Sequence, residues 1–149
     1  MKKTIMAAGL AAVLTACGSS GNKTETMTEN PLLTEFKTPF GVPPFDKIEL
    51  DDYMPAFKEG IAQQQKEVAA PDFENTIVAL DQSGDLLRKV SAIFYGLNSA
   101  NTNDEMQALS RELSPLLSKN SDDIRMNPNL FARVKTVYEN QESMNLNKE

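Results

Sequence analysis

The chain has 149 residues, with 15 Lys and Arg against 21 Asp and Glu, no His, no Trp and one Cys, for a formal net charge of −6. Without imidazole there is no Ser-His-Asp or Cys-His nucleophile system, no histidine proton shuttle and no histidine metal ligand. A lone thiol closes no internal disulfide and builds no cysteine-rich zinc site. The acidic balance argues against nucleic acid as a partner, and the length suits a single modest core.

Taken in chain order, Lys2 and Lys3 precede an apolar run from Ile5 to Val13 and then Leu14-Thr15-Ala16-Cys17. Such a run falls short of the roughly 20 apolar residues needed to span a bilayer, and small residues lead directly into the cysteine. Leu-Thr-Ala-Cys resembles the lipobox of bacterial lipoproteins, which implies a signal peptide over 1–16 and a diacylglycerol on Cys17. The competing reading is an ordinary signal peptide with an incidental cysteine. Lipidation implies a protein anchored in a membrane of the bacterial cell envelope, facing the periplasm or the surface, since acyl chains bury about 0.8 kcal/mol per methylene. Loss of Lys2 and Lys3 would leave 13 basic against 21 acidic side chains, a net charge of −8. Residues 17–30 read as a flexible tether, because Met27 is the one large apolar residue between Gly18 and Asn30.

The rest, 31–149, reads as one helical unit. Pro31, Pro39, Pro43 and Pro44 forbid a long helix and predict an extended arm, in which Leu32, Leu33, Phe36, Phe40, Val42 and Phe45 want burial. A first helix begins at Leu50, with Asp51 and Asp52 at the positive end of the dipole, Pro55 inside the first turn, and Tyr53, Met54, Phe57, Ile61 and Val68 as its stripe. A second starts near Asn75 or Thr76 and carries Ile77, Leu80, Leu87, Val90, Phe94 and Leu97. Gly84 interrupts it, which predicts a close helix crossing there. Thr102-Asn103-Asp104-Glu105 predicts a third start, with the Thr hydroxyl and Glu carboxylate as reciprocal caps. Its stripe is Met106, Leu109, Leu113 and Leu116, and Pro115 should kink or end it. Asn127-Pro128 opens a fourth, with Leu130, Phe131, Val134 and Tyr138 on its apolar side. No segment alternates like a strand, so the expected class is all-α, an irregular helical bundle with a Pro-rich arm.

Candidate chemistry is sparse. The pairs Asp51-Asp52 and Asp122-Asp123 could do acid–base work or hold a hard cation, but sequence neighbours diverge by about 100° on a helix and suit helix termini better. Asp81, Ser83 and Asp85 around Gly84 lack calcium-loop spacing. Arg88-Lys89 suits a solvated face better than a phosphate clamp, and Tyr95, Asn98 and Asn101 could hydrogen-bond a peptide or merely end a helix.

The order of segments carries more information. Asn30-Pro31-Leu32-Leu33, Thr38-Pro39-Phe40-Gly41-Val42-Pro43-Pro44-Phe45-Asp46-Lys47-Ile48 and Tyr53-Met54-Pro55-Ala56-Phe57 are similar to the opening of the oligopeptidase A, peptidyl-dipeptidase and thimet oligopeptidase family of zinc metallopeptidases. The likeness runs on through Phe73-Glu74-Asn75-Thr76-Ile77, Phe94-Tyr95-Gly96-Leu97-Asn98 and Asp123-Ile124-Arg125-Met126-Asn127-Pro128, covering about 30–138. It implies a longer, largely helical enzyme that closes a channel around short peptides and cleaves them at a zinc ion held by His-Glu-x-x-His and a later glutamate. None of those positions exists here. The expectation is therefore an N-terminal portion, truncated before the catalytic domain, that walls the channel, contributes no catalytic or metal-ligating residue and is inert alone. The alternative is a self-standing helical lipoprotein that binds a peptide or a protein.

Overall fold

A computed structural model of the protein describes residues 29–69 and 76–144. Cys17, the signal peptide, most of the tether and Phe73-Glu74-Asn75 lie outside the described residues. Within them there are five α-helices, a few short 3-10 turns and no strand: α1 (Leu50–Ala69), α2 (Thr76–Gln82), α3 (Asp85–Ala100), α4 (Asp104–Arg125) and α5 (Pro128–Glu139). The all-α class holds.

The arm opens with a 3-10 turn over Pro31–Leu33, where the Asn30 Oδ1 accepts from the Leu32 N–H at 2.9 Å. Asn30 Nδ2 also donates to the Asp52 carbonyl at 2.8 Å, which ties the start of the arm to α1. Leu32 enters the core completely and Phe36 packs at its edge. The other apolar arm residues correct the expectation of burial: Leu33, Phe40, Val42 and Phe45 are exposed.

At the start of α1 the Asp52 carboxylate accepts from the Glu49 N–H at 2.8 Å, which is half of a capping box. Pro55 is the sixth residue of α1, past the first turn, so the Asp51 carbonyl lacks its helical donor. Both residues are exposed, and water can serve that carbonyl.

The buried face of α1 is Tyr53, Ala56, Phe57, Gly60 and Val68, with Ile61 only half-buried. Gly60 is where α1 meets α3: a Cβ there would stand 3.0 Å from both the Cα and the N of Leu87. The backbones themselves come closest at Gly60, while the approach expected at Gly84 is also present, made by a side chain: a Cβ at Gly84 would fall 2.5 Å from the Gln64 amide of α1. Gly84 breaks the predicted second helix in two, because it takes φ 79°, ψ 27° as the N-cap of α3. That left-handed conformation suits glycine. Glycine brings no capping side chain, and the N–H of Gly84 itself is taken by the Glu67 carboxylate of α1 at 2.7 Å. Tyr53 beside Phe94, Gly60 beside Leu87 and Glu67 beside Gly84 make α1 and α3 antiparallel.

The core is built where these helices meet α4. Leu32, Ala56, Phe57, Val90, Phe94 and Leu113 are fully buried, and each large side chain among them contributes about 1.5–3 kcal/mol by leaving water. Phe57 and Phe94 meet edge to face at 5.8 Å, and Tyr53 meets Phe94 at 5.0 Å. On α4 the buried stripe is Met106 and Leu113, flanked by Leu109 and Leu117.

The α4 cap is Asn103, which accepts from the Met106 N–H at 2.8 Å, while Thr102 donates instead to Asn98 Oδ1 at 2.7 Å. Pro115 neither ends nor interrupts the 22-residue helix. It sits on the solvent side with Arg111, whose carbonyl it deprives of a donor. At α5 the Asn127 cap and Pro128 stand as expected, with Asn127 Oδ1 accepting from the N–H of Asn129 and of Leu130. Leu130 is buried, but Phe131 and Tyr138 are exposed and do not belong to the buried side.

Two consequences are measurable. Gly60→Val should lose about 2 kcal/mol or more, because the branch meets the backbone of Leu87, whereas Gly96→Ala, with open space around it, should gain roughly 0.5–1 kcal/mol from helix propensity. Urea titration of both variants checks the contrast. Tyr53 offers the second: its hydroxyl is buried and has no hydrogen-bond partner among the described residues. Burial, and next the Asp52 carboxylate, push the phenol up from its ordinary range. The unfolded chain then ionises first, so stability present below about pH 10 falls as pH rises through the higher folded value. Tyr53→Phe should stabilise the fold by about 1 kcal/mol at neutral pH and flatten that alkaline decline. A variant that melts lower, or keeps the decline, contradicts this.

Candidate functional site

The residues singled out in the sequence are dispersed by the fold. The Asp52 carboxylate is occupied with the start of α1, and Asp51 beside it is exposed. Asp123 pairs with Lys119 one turn back on α4, and Asp122 points to water. Around Gly84, Ser83 donates to the Leu80 carbonyl at 2.8 Å, Asp85 pairs with Arg88 at 2.9 Å and Asp81 is exposed, so no cation loop forms. Arg88 and Lys89 part company: Arg88 stays on the solvent face, while Lys89 turns onto the arm. There its Nζ donates to the Thr34 carbonyl at 3.3 Å and lies 4.7 Å from the centre of the Phe36 ring. Burial pulls the Lys89 ammonium below its ordinary range. Its role is to strap the arm to α3.

Tyr95, Asn98 and Asn101 do not converge on one ligand. The Tyr95 ring stands edge-on to Phe94 at 5.1 Å and Phe57 at 6.4 Å. Asn98 Oδ1 accepts from Thr102, and Asn101 ends α3 by donating its backbone N–H to the Leu97 carbonyl at 2.8 Å.

What the sequence did not reveal is a layer of amides between α1 and α4. The buried Asn120 donates through Nδ2 to Gln64 Oε1 at 2.7 Å and accepts at Oδ1 from Gln65 Nε2 at 3.2 Å. No local signal marks it, because the partners are 55 and 56 residues apart. A second cross-link is Arg133 of α5, whose guanidinium donates to the Val68 carbonyl at 2.8 Å near the end of α1. These groups fix helices against one another.

The surface is indented at the arm, where an open groove of about 610 Å³ is bordered by Glu29, Leu33, Phe36, Pro44 and Lys47 among others. It gathers no nucleophile with a base. Among the described residues no three of His, Cys, Asp and Glu converge as metal ligands, and the sequence has no His. The described residues therefore do not fit the zinc ion that the family resemblance implies. No helix among the described residues is long and apolar enough to cross a membrane.

No family model matches the chain. Over 129 residues it is 43% identical to the dipeptidyl carboxypeptidase of Escherichia coli (strain K12), a match that takes in 82% of this chain and 19% of that protein. The dipeptidyl carboxypeptidase of Salmonella typhimurium (strain LT2) is 43% identical over 130 residues, 83% of this chain and 19% of its own length. The match to the Escherichia coli protein leaves out fewer than 30 of the 149 residues, so Pro39 to Phe45 lie inside it wherever its ends fall. The chain thus spans about a fifth of the length of the curated relatives it matches, and it is similar to one stretch of dipeptidyl carboxypeptidases.

Proposed function

We propose that this chain is one stretch of the wall of a zinc-dependent dipeptidyl carboxypeptidase, an enzyme that removes dipeptides from the carboxyl ends of short peptides, and that the stretch has no catalytic activity by itself. The observation that carries this reading is the 43% identity over 129 residues to relatives of that name. A wall of packed helices selects by shape: it admits a single extended chain and turns away a folded one. The absence of histidine supports the division of labour, since metal-activated water must then come from elsewhere in a longer polypeptide.

We further propose that Cys17 anchors the protein by lipid in the bacterial envelope. The support is local to the sequence: Lys2 and Lys3, the apolar run and Leu14-Thr15-Ala16-Cys17.

A chimera tests the first proposal. The matched stretch of this chain, placed in the Escherichia coli dipeptidyl carboxypeptidase, should keep dipeptide release within about tenfold of the parent, a loss of no more than about 1.4 kcal/mol in the barrier. The 149-residue chain alone should release none, with zinc added. Zinc-dependent hydrolysis by that chain, or an inactive chimera, goes against the proposal. For the anchor, Cys17→Ser should abolish labelling by a radioactive fatty acid and move the protein from the membrane to the soluble fraction of bacterial lysates. Unchanged labelling would remove the anchor from the account.

A further inference from the structure

The arm holds a conformation that nothing among the described residues explains. Thr38, Pro39, Phe40 and Gly41 close a turn in which the Gly41 N–H donates to the Thr38 carbonyl at 3.1 Å. The third position is Phe40 at φ 60°, ψ 14°, a place that glycine or asparagine ordinarily fills. Gly41 follows at φ 67°. An aromatic side chain is disfavoured in this region and persists where surrounding contacts hold it. Here those contacts are missing: Phe40 is 103% exposed, and Val42 and Phe45 beside it are 50% and 51% exposed. The frame is nonetheless stiff. Pro39, Pro43 and Pro44 fix their own φ, and the Thr38 hydroxyl donates to the Val42 carbonyl across the turn. Three apolar side chains offered from a prearranged frame lose little freedom on docking.

We infer that Phe40, with Val42 and Phe45, is a plug that seats in an apolar socket formed by the part of a longer peptidase chain outside the stretch matched here. The inference rests on the function proposed above. Two observations choose this occupant. The relatives carry about four-fifths of their length beyond the matched stretch, and the arm lies inside the match. The patch is also small: a fully exposed ring such as Phe40 buries about 150–250 Å², and the already half-covered Val42 and Phe45 add less, well short of the roughly 800 Å² per partner of a stable independent interface. A socket on the same polypeptide needs less area, because covalent linkage raises its effective concentration.

Phe40→Gly, which removes both the ring and the strain, and Phe40→Ala, which removes the ring alone, test this in two settings. In the 149-residue chain, Phe40→Gly should raise the melting temperature by about 4 °C and Phe40→Ala should leave it within about 1 °C. In the chimera with the Escherichia coli enzyme, both should shorten the half-life of dipeptide-releasing activity at elevated temperature about tenfold, because the socket is left empty. A Phe40→Gly chain that melts lower overturns the inference, since the ring would then support the isolated fold. So does a wild-type chain that sediments as a dimer and is dissociated by Phe40→Ala, which would make a second copy the occupant. An active chimera whose half-life ignores both substitutions sinks this inference alone. An inactive wild-type chimera takes the functional reading down with it.

Discussion

The approach of α1 to α3 at Gly60 governs most of what surrounds it. With the Leu87 backbone 3.0 Å from where a Cβ would be, the two helices come close enough for Phe57, one turn earlier, to set its ring at a right angle to Phe94, 5.8 Å away. A larger residue at position 60 would separate the helices and open space around both rings, a loss felt throughout a close-packed interior. About two turns farther on, the same closeness brings Glu67 within reach of the Gly84 N–H. The absence of a side chain at one position thus sets both the aromatic packing and the helix start that Glu67 completes.

Helix α4 is positioned by polarity as well as by shape. Apolar contact alone would let α4 slide along α1, because Met106, Leu109, Leu113 and Leu117 offer similar surfaces one turn apart. The Asn120 amide, buried and bonded to Gln64 and Gln65, removes that freedom, since a shifted register would bury its donors without acceptors. Arg133 does the same for α5 at the Val68 carbonyl. Such cross-links hold a shape without contributing a reacting group.

Features that depend on one or two neighbouring residues were legible in the sequence. The Asn127-Pro128 start, the acidic opening of α1 and the stripes through Phe57, Phe94 and Leu113 follow from local chemistry. Features that depend on distant partners were not. Gly84 marks a place where α1 packs closely, as a glycine inside an apolar stripe suggested, but only the backbone reveals that it is a left-handed residue between two helices. Thr102 and Asn103 are both competent caps, and the choice fell to Asn103 while Thr102 bonded back to Asn98. Phe40, Phe131 and Tyr138 were assigned to the interior by their hydrophobicity alone, which says nothing about whether a neighbour exists to cover them. The candidate polar residues dissolved for a related reason: Asp52, Asp85 and Asp123 each have a partner within one turn, so their charges serve the helices that carry them.

The loan of Glu67 to α3 bears on the order of assembly. A helix that carries its own capping side chain can flicker into existence before anything docks against it. The N-cap of α3 is Gly84, which has no such side chain, and its own N–H finds an acceptor 17 residues upstream on another helix. That N–H is therefore satisfied within the protein only when the later half of α1 is in place. The same two helices share the Phe57–Phe94 contact, so the start of α3 and its aromatic packing both depend on one neighbour, and α1 and α3 form a hairpin-like unit whose parts support each other.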